Sequence, residues 1–146
     1  MKVRELLQNK PGRVITVHPR EQVATVIELL MRHGIGGVPV VTLDNEVVGF
    51  VAERDIVKAL HTQEAAVRQL TVERVMRRPA PLCRVDDTLN DVMAEMTLHR
   101  LRHMVVLDGD RIAGIISLGD IVKQRLEQAQ IEAEVLRDMV AAQRVR

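Results

Sequence analysis

Apolar residues Val23, Val26, Ile27, Leu30 and Met31 recur at helical spacing and predict a helix over residues 21–33, with Gly34 placed to end it. The next apolar run, residues 36–41, lacks that spacing and reads as a buried strand. Asp44 and Asn45 turn the chain back through residues 47–51 as its hairpin partner, and a further helix starts near Glu53. The succession then recurs. A helix over residues 88–98, capped by Asp86 or Asp87, precedes strands at 103–107 and 111–117 that turn at 108–110. Each half also has a lead-in. Residues 3–8 read as a short helix stopped by Asn9, Pro11 and Gly12, followed by a brief strand through Val14, Ile15 and Val17. Residues 72–77 repeat that helix until Pro79 and Pro81 break it, and residues 82–84 supply the second lead-in strand. Residues 61–70 are polar and serve as the connection.

The two halves are copies of one phrase. Gly49 to Val57 reads G-F-V-A-E-R-D-I-V and Gly114 to Val122 reads G-I-I-S-L-G-D-I-V, an offset of 65 residues. Upstream of the hairpin loop the offset becomes 66, as though the second loop were one residue shorter: Val23, Val26, Ile27 and Leu30 fall on Leu89, Val92, Met93 and Met96. A match through a helix, two strands and the start of a second helix marks a tandem duplication, and one unit alone has little core. The division expected is repeat one at 1–66, repeat two at 67–125 and a helical extension at 126–146. That extension contains no Gly or Pro after Gly119, so residues 118–146 read as one long helix whose apolar residues near Leu136 and Met139 need a partner surface, most simply a second copy.

Composition narrows the function classes. The formal charge of +1, with acids and bases interspersed, gives no basic field for a nucleic-acid backbone, and Phe50 as the sole aromatic removes stacking platforms. Cys83 stands alone, which leaves no disulfide framework and no cysteine metal cluster; it reads as a small buried apolar residue. With no signal-peptide pattern and no apolar run of membrane-spanning length, the reading expects a cytoplasmic protein with no membrane partner. H-E-x-x-H, Walker and G-x-S-x-G motifs are absent, so an enzyme is not expected.

The phrases V-I-T-V-H-P, I-G-G-V-P-V-V, R-L-R-H-M-V-V-L-D and G-I-I-S-L-G-D, in register within a duplication, resemble the cystathionine β-synthase (CBS) domain over nearly the whole chain. The resemblance implies an α/β fold of tandem β-α-β-β-α repeats packed about a pseudo-twofold axis, a pair often called a Bateman module. It also implies two clefts that can hold an adenine nucleotide. In one, Asp120 accepts the ribose hydroxyls, Ser117 lies near the ribose or phosphate, and Thr16 with the backbone of Ile35, Gly36, Gly37 and Val38 forms the base pocket. The other uses Asp55, with Leu82 and Met104 toward the base; Ala52 there replaces the family's Ser or Thr, so the Asp120 cleft is expected to be the tighter. Arg100, Arg102 and His103 match the basic stretch that meets phosphates. A carboxylate suits a ribose because it accepts from both hydroxyls of a vicinal diol.

Residue chemistry alone leaves a second reading open. Ser117-Leu118-Gly119-Asp120 is also a capping box, and Arg100 and Arg102 read equally well as solvated surface charges. The expectation is a stand-alone regulatory module that senses adenine nucleotides, AMP or ATP foremost, with no cofactor beyond that ligand and no metal. It is expected to form a homodimer and to act on an unidentified regulated protein. The alternative is an adaptor with vestigial clefts that docks through its tail.

Overall fold

The computed structural model describes residues 1–10 and 12–145, with the backbone alone for residues 63–65. Its elements run α1 (Val3–Gln8), α2 (Val23–His33), β1 (Gly37–Val41), β2 (Val47–Ala52), α3 (Glu53–Gln63), two 3-10 segments (Glu64–Gln69 and Val72–Arg74), β3 (Leu82–Arg84), α4 (Leu89–Leu98), β4 (His103–Asp108), β5 (Arg111–Ser117) and α5 (Leu118–Arg144). The antiparallel pair β1-β2 forms one sheet, and β3-β4-β5, with β3 parallel to β4, forms the other.

The duplication is visible in the hydrogen bonding. Both hairpins slip register at the same place, between Val40 and Val41 in one and between Val106 and Leu107 in the other, each opposite a glycine, Gly49 or Gly114. Both first helices close with a left-handed residue and a bond back across the last turn: Gly34 (φ 60°) with Ile35 N–H to Leu30 O, and Arg100 (φ 53°) with Leu101 N–H to Met96 O.

The lead-ins exchange. Val3 and Leu6 of α1 pack into the core of repeat two with Cys83, Leu89, Val92, Met96, Ile116 and Ile121, whereas Val67 and Val72 complete the repeat-one core around Val23, Val26, Val38 and Val51. Matching backbone bonds fasten both: Val3 N–H to Asp87 O and Leu89 N–H to Met1 O on one side, Val72 N–H to Glu21 O and Val23 N–H to Leu70 O on the other. A smaller cluster of Phe50, Ala80 and Val105, flanked by Ile112 and Ile115, joins the two hairpins. Among the described residues, no charged or polar residue is buried.

Three local expectations change. Thr88, rather than Asp86 or Asp87, caps α4, accepting from Asp91 N–H at 3.1 Å, while Asp87 accepts from Arg84 N–H at 2.8 Å in the preceding turn. The lead-in strand of repeat one contracts to a single parallel bridge of Val17 with Val40, since only Val17 comes close enough to bond on both sides of Val40, donating to Pro39 O and accepting from Val41 N–H. The helix expected over 72–77 is one 3-10 turn, because Arg77 leaves it to exchange both backbone bonds with Phe50.

Gly49 and Gly114 are where the exchanged lead-ins press on the hairpins. A Cβ on Gly49 would meet Met76 Sδ at 2.5 Å and the carbonyl of Arg77 at 2.9 Å, whereas one on Gly114 would meet only the Leu7 side chain, at 2.7 Å. Gly49→Ala is therefore expected to cost about 1 to 3 kcal/mol of unfolding free energy, and Gly114→Ala less, since Leu7 can rotate and a carbonyl cannot. Denaturant unfolding of the two variants checks the order.

Candidate functional site

The strand-to-helix corner of each repeat is built alike. Asp55 Oδ2 accepts from Ala52 N–H at 2.8 Å, and Asp120 Oδ2 accepts from Ser117 N–H at 2.9 Å. The helix starts are also tied to the opposite strand, Glu53 N–H to Gly36 O and Leu118 N–H to Arg102 O. From this common frame the two corners diverge.

At the second corner Ser117 Oγ accepts from Asp120 N–H at 3.1 Å, so the capping box is formed and the hydroxyl is committed to it. Lys10 then reaches the same carboxylate. Its ammonium lies 2.6 Å from Asp120 Oδ2 and donates to Ile115 O at 2.9 Å. The route is set by α1, whose Leu7 covers Gly114 and delivers the following residues to the start of α5. Burial raises the Asp120 carboxyl, but hydrogen bonds from Lys10 and from the Ser117 N–H outweigh it, and the group titrates below its ordinary value.

At the first corner the lead-in position matching Lys10 is Pro79, counted from the matched pair Leu7 and Met76, and no ammonium arrives. Asp55 has no ion-pair partner within 4.0 Å among the described residues. It opens instead onto a cavity of about 310 Å³ lined by Gly36, Phe50, Ala52, Glu53, Arg54, Val57, Arg77, Arg100, Arg102 and His103. Both repeats contribute. Four arginines thus line one space together with Glu53 and Asp55, an arrangement suited to an anion that also carries hydroxyls. Arg100 holds the left-handed conformation that glycine supplies at the equivalent Gly34, an uncommon state for a residue with a Cβ.

His103 joins the corners. Its ring stacks on Phe50 at 5.6 Å between centroids, and it sits where repeat one has Gly37, over which the Phe50 ring lies. Burial lowers its proton affinity and Lys10 lowers it further; Asp120 and Glu53 oppose this, and Arg102 adds to the lowering. His103 is therefore held toward its neutral form with charged groups from both corners around it.

Of the residues singled out in the sequence, the cavity brings together Gly36, Asp55, Arg100, Arg102 and His103. Gly36, expected in the Asp120 cleft, lies here with Asp55. Thr16 and Leu82, equivalent in the two lead-ins, are exposed, and Ile35 is half-buried. Val38 and Met104 are buried in their repeat cores, 0% and 4% exposed, so their side chains are committed to packing and only backbone is left for a ligand. Arg54 and Arg77 are additions. Arg54 was readable from its place between Glu53 and Asp55, whereas Arg77 looked like part of a helix. Lys10 is 110 residues from its partner and gave no local signal. Cys83 is buried with its thiol pushed up to about 12, first by burial and then by Asp87, and is unreactive. No group of His, Cys, Asp and Glu able to hold a metal occurs among the described residues.

Lys10→Met removes the ion pair on Asp120. Because the carboxyl is depressed in the fold, the pair's stabilisation is full above the ordinary value near 3.8 and is lost as pH falls through the folded value. The variant is expected to melt with about 0.5 to 1 kcal/mol less stability at neutral pH, a small effect for a half-exposed pair, and the gap should close as pH falls through the folded value. Thermal melts across that range measure it.

Comparison with known proteins agrees with this geometry. The CBS domain profile matches residues 3–62 and 72–127. The chain is similar to the CBS-domain containing protein ATU1752 of Agrobacterium tumefaciens, at 40% identity and a TM-score of 0.81 over 85% of this chain and 92% of that one. The fold is shared with the CBS domain pair of MJ0100, solved with 5-methylthioadenosine and S-adenosyl-L-methionine, at 24% identity and a TM-score of 0.77 over 88% of this chain and 98% of that one. A 33.4 kDa protein in a ribosomal RNA operon of Thermofilum pendens is 31% identical over 81% of this chain, which spans only 37% of that relative's length. Coverage is similarly partial for the next relatives, at 41% and 22%. Two matched repeats, exchanged lead-ins and paired strand-to-helix corners place this chain in the CBS domain family, as a tandem CBS pair.

Proposed function

We propose that the chain is a regulatory ligand-binding module, not a catalyst, and that the cleft at Asp55 takes a phosphorylated adenosine such as AMP or ATP. The observation that carries this reading is the convergence of Arg54, Arg77, Arg100 and Arg102 with Asp55 on one cavity. Asp55 keeps both oxygens able to accept hydroxyl donors, because the bond it accepts from Ala52 N–H uses one lone pair of Oδ2 and leaves a ribose diol room. The guanidiniums provide planar forks for phosphate, which distinguishes this cleft's preference from the phosphate-free adenosines held by MJ0100. Binding between residues of both repeats gives occupancy a route to inter-repeat geometry, which a regulated partner protein reads. Two copies act together through the exposed apolar residues of the helices that follow each hairpin, Val57 and Leu60 on α3 and Val122 on α5.

With no Trp or Tyr in the chain, a nucleobase absorbance band in purified protein would reveal a carried ligand at once. The decisive experiment compares melting midpoints with and without AMP or ATP, because a ligand that binds only the folded form raises the midpoint. Asp55→Ala is expected to weaken binding by about 30-fold or more, from the lost charge-assisted bonds. Arg100→Gly separates strain from recognition. It should leave stability unchanged or raise it by about 0.5 kcal/mol, since glycine adopts the left-handed state freely, while reducing nucleotide affinity about 10-fold and sparing adenosine. A midpoint that ignores every adenine nucleotide transfers the assignment to an adaptor with vestigial clefts.

The ligand's charge also sets a pH dependence. An anion beside His103 favours its protonated form, so binding takes up a proton and affinity is expected to rise as pH falls from about 7.5 to about 6. His103→Asn should flatten that slope in calorimetric titrations; an unchanged slope would remove His103 from the site.

A further inference from the structure

Helix α5 carries a feature that the clefts do not use. Val122, Leu126, Ala129, Ala133, Leu136 and Val140 alternate spacings of four and three, the seam of a two-stranded coiled coil. This seam lies on a flank of the helix beside the line that meets the body. Ile121, seven residues before Gln128 on the same helical line, is fully buried, and Gln128 borders the groove against α4 together with Arg125, which bonds Asn90. The seam runs about 100° around the helix from that line, and Val122, Leu126, Leu136 and Val140 are each at least half exposed. From Leu126 to Val145 every side chain except that of Ala133 is exposed. A solvated helix of this length with an apolar stripe is marginal alone.

We infer that α5 pairs in parallel with the same helix of a second copy of this chain, through the seam from Val122 to Val140. The charges beside the seam choose both the occupant and the direction. In a parallel pair a residue flanking the seam faces the residue five positions later on the other helix, which sets Glu132 of one copy against Arg137 of the second, twice by symmetry, with Arg125 facing the neutral Gln130. An antiparallel pair in the register that matches Leu126 with Leu136 sets Glu132 near its own counterpart and Lys123 near Arg137, both repulsive. The small layers of Ala129 and Ala133 let the helices approach closely at mid-seam. This deepens the pairing of copies proposed above and is independent of what the clefts bind.

The buried, unreactive Cys83 makes a direct test possible, because an introduced thiol is the only one free to oxidise. In the full chain, Leu136→Cys is expected to oxidise rapidly to a covalent dimer, since equivalent seam positions of a parallel pair bring the Cβ atoms within disulfide reach. Glu132→Lys should slow that crosslinking about 10-fold, and adding Arg137→Glu should restore it. Light scattering on the unmodified chain gives the assembly mass alongside. A dimer mass with no crosslink in the Leu136→Cys chain overturns the seam and leaves the body pairing standing. Crosslinking only in a mixture of Leu126→Cys and Leu136→Cys chains overturns the parallel direction, and a monomer mass overturns both pairings.

Discussion

The exchange of lead-ins is the constraint on which the rest of the structure depends. Each hairpin buries one face against its own helices, and each core is completed by residues that precede the other repeat in the chain: Val3 and Leu6 for repeat two, Val67 and Val72 for repeat one. The repeats consequently stabilise one another instead of folding as independent beads. The backbone bonds of Val3 and Leu89 on one side and of Val72 and Val23 on the other fix the crossing segments, and the glycines opposite the hairpin bulges accept their side chains. What those segments carry past the hairpins therefore decides the chemistry at each corner.

That crossing makes the two clefts unequal. The frames agree down to the acid at the third helical position, yet one lead-in delivers Lys10 and the other Pro79. An ammonium 2.6 Å from Asp120 Oδ2 pairs with that carboxylate, while Asp55 has no ion-pair partner within 4.0 Å among the described residues and borders an open cavity. The hydroxyl that distinguishes the corners in sequence, Ser117 against Ala52, acts locally, satisfying a helix N–H that repeat one leaves to other means. A duplicated fold thus holds one corner whose acid is paired within the chain and one whose acid borders a cavity.

Electrostatics explains the character of the open corner. Like charges gathered without a counterion destabilise a fold, and four guanidiniums around one cavity are tolerated because they stay solvated and because Glu53 and Asp55 share the rim. Arg100 adds backbone strain where its counterpart uses glycine. A position that accepts strain and repulsion to aim a cation at a cavity has a reason other than packing. His103, stacked on Phe50 between the corners, is placed so that a charge arriving in one is felt at the other.

The sequence by itself determined what local periodicity encodes. The helices α2, α4 and α5, both hairpins with the shorter second loop, and the duplication that relates them were all legible, because amphipathic spacing and turn residues act over a few positions. So was the family, since four phrases held one register. Short-range competition was harder to read: Thr88 took the cap from Asp86 and Asp87 because only its side chain met the Asp91 N–H, and Arg77 left its helix for Phe50. Only the tertiary structure decided which lead-in completes which core, that Arg54 and Arg77 join Arg100 and Arg102, and that Lys10 meets Asp120. These depend on contacts between segments as far as 110 residues apart, and no pattern within either segment specifies the partner that the crossing brings to it.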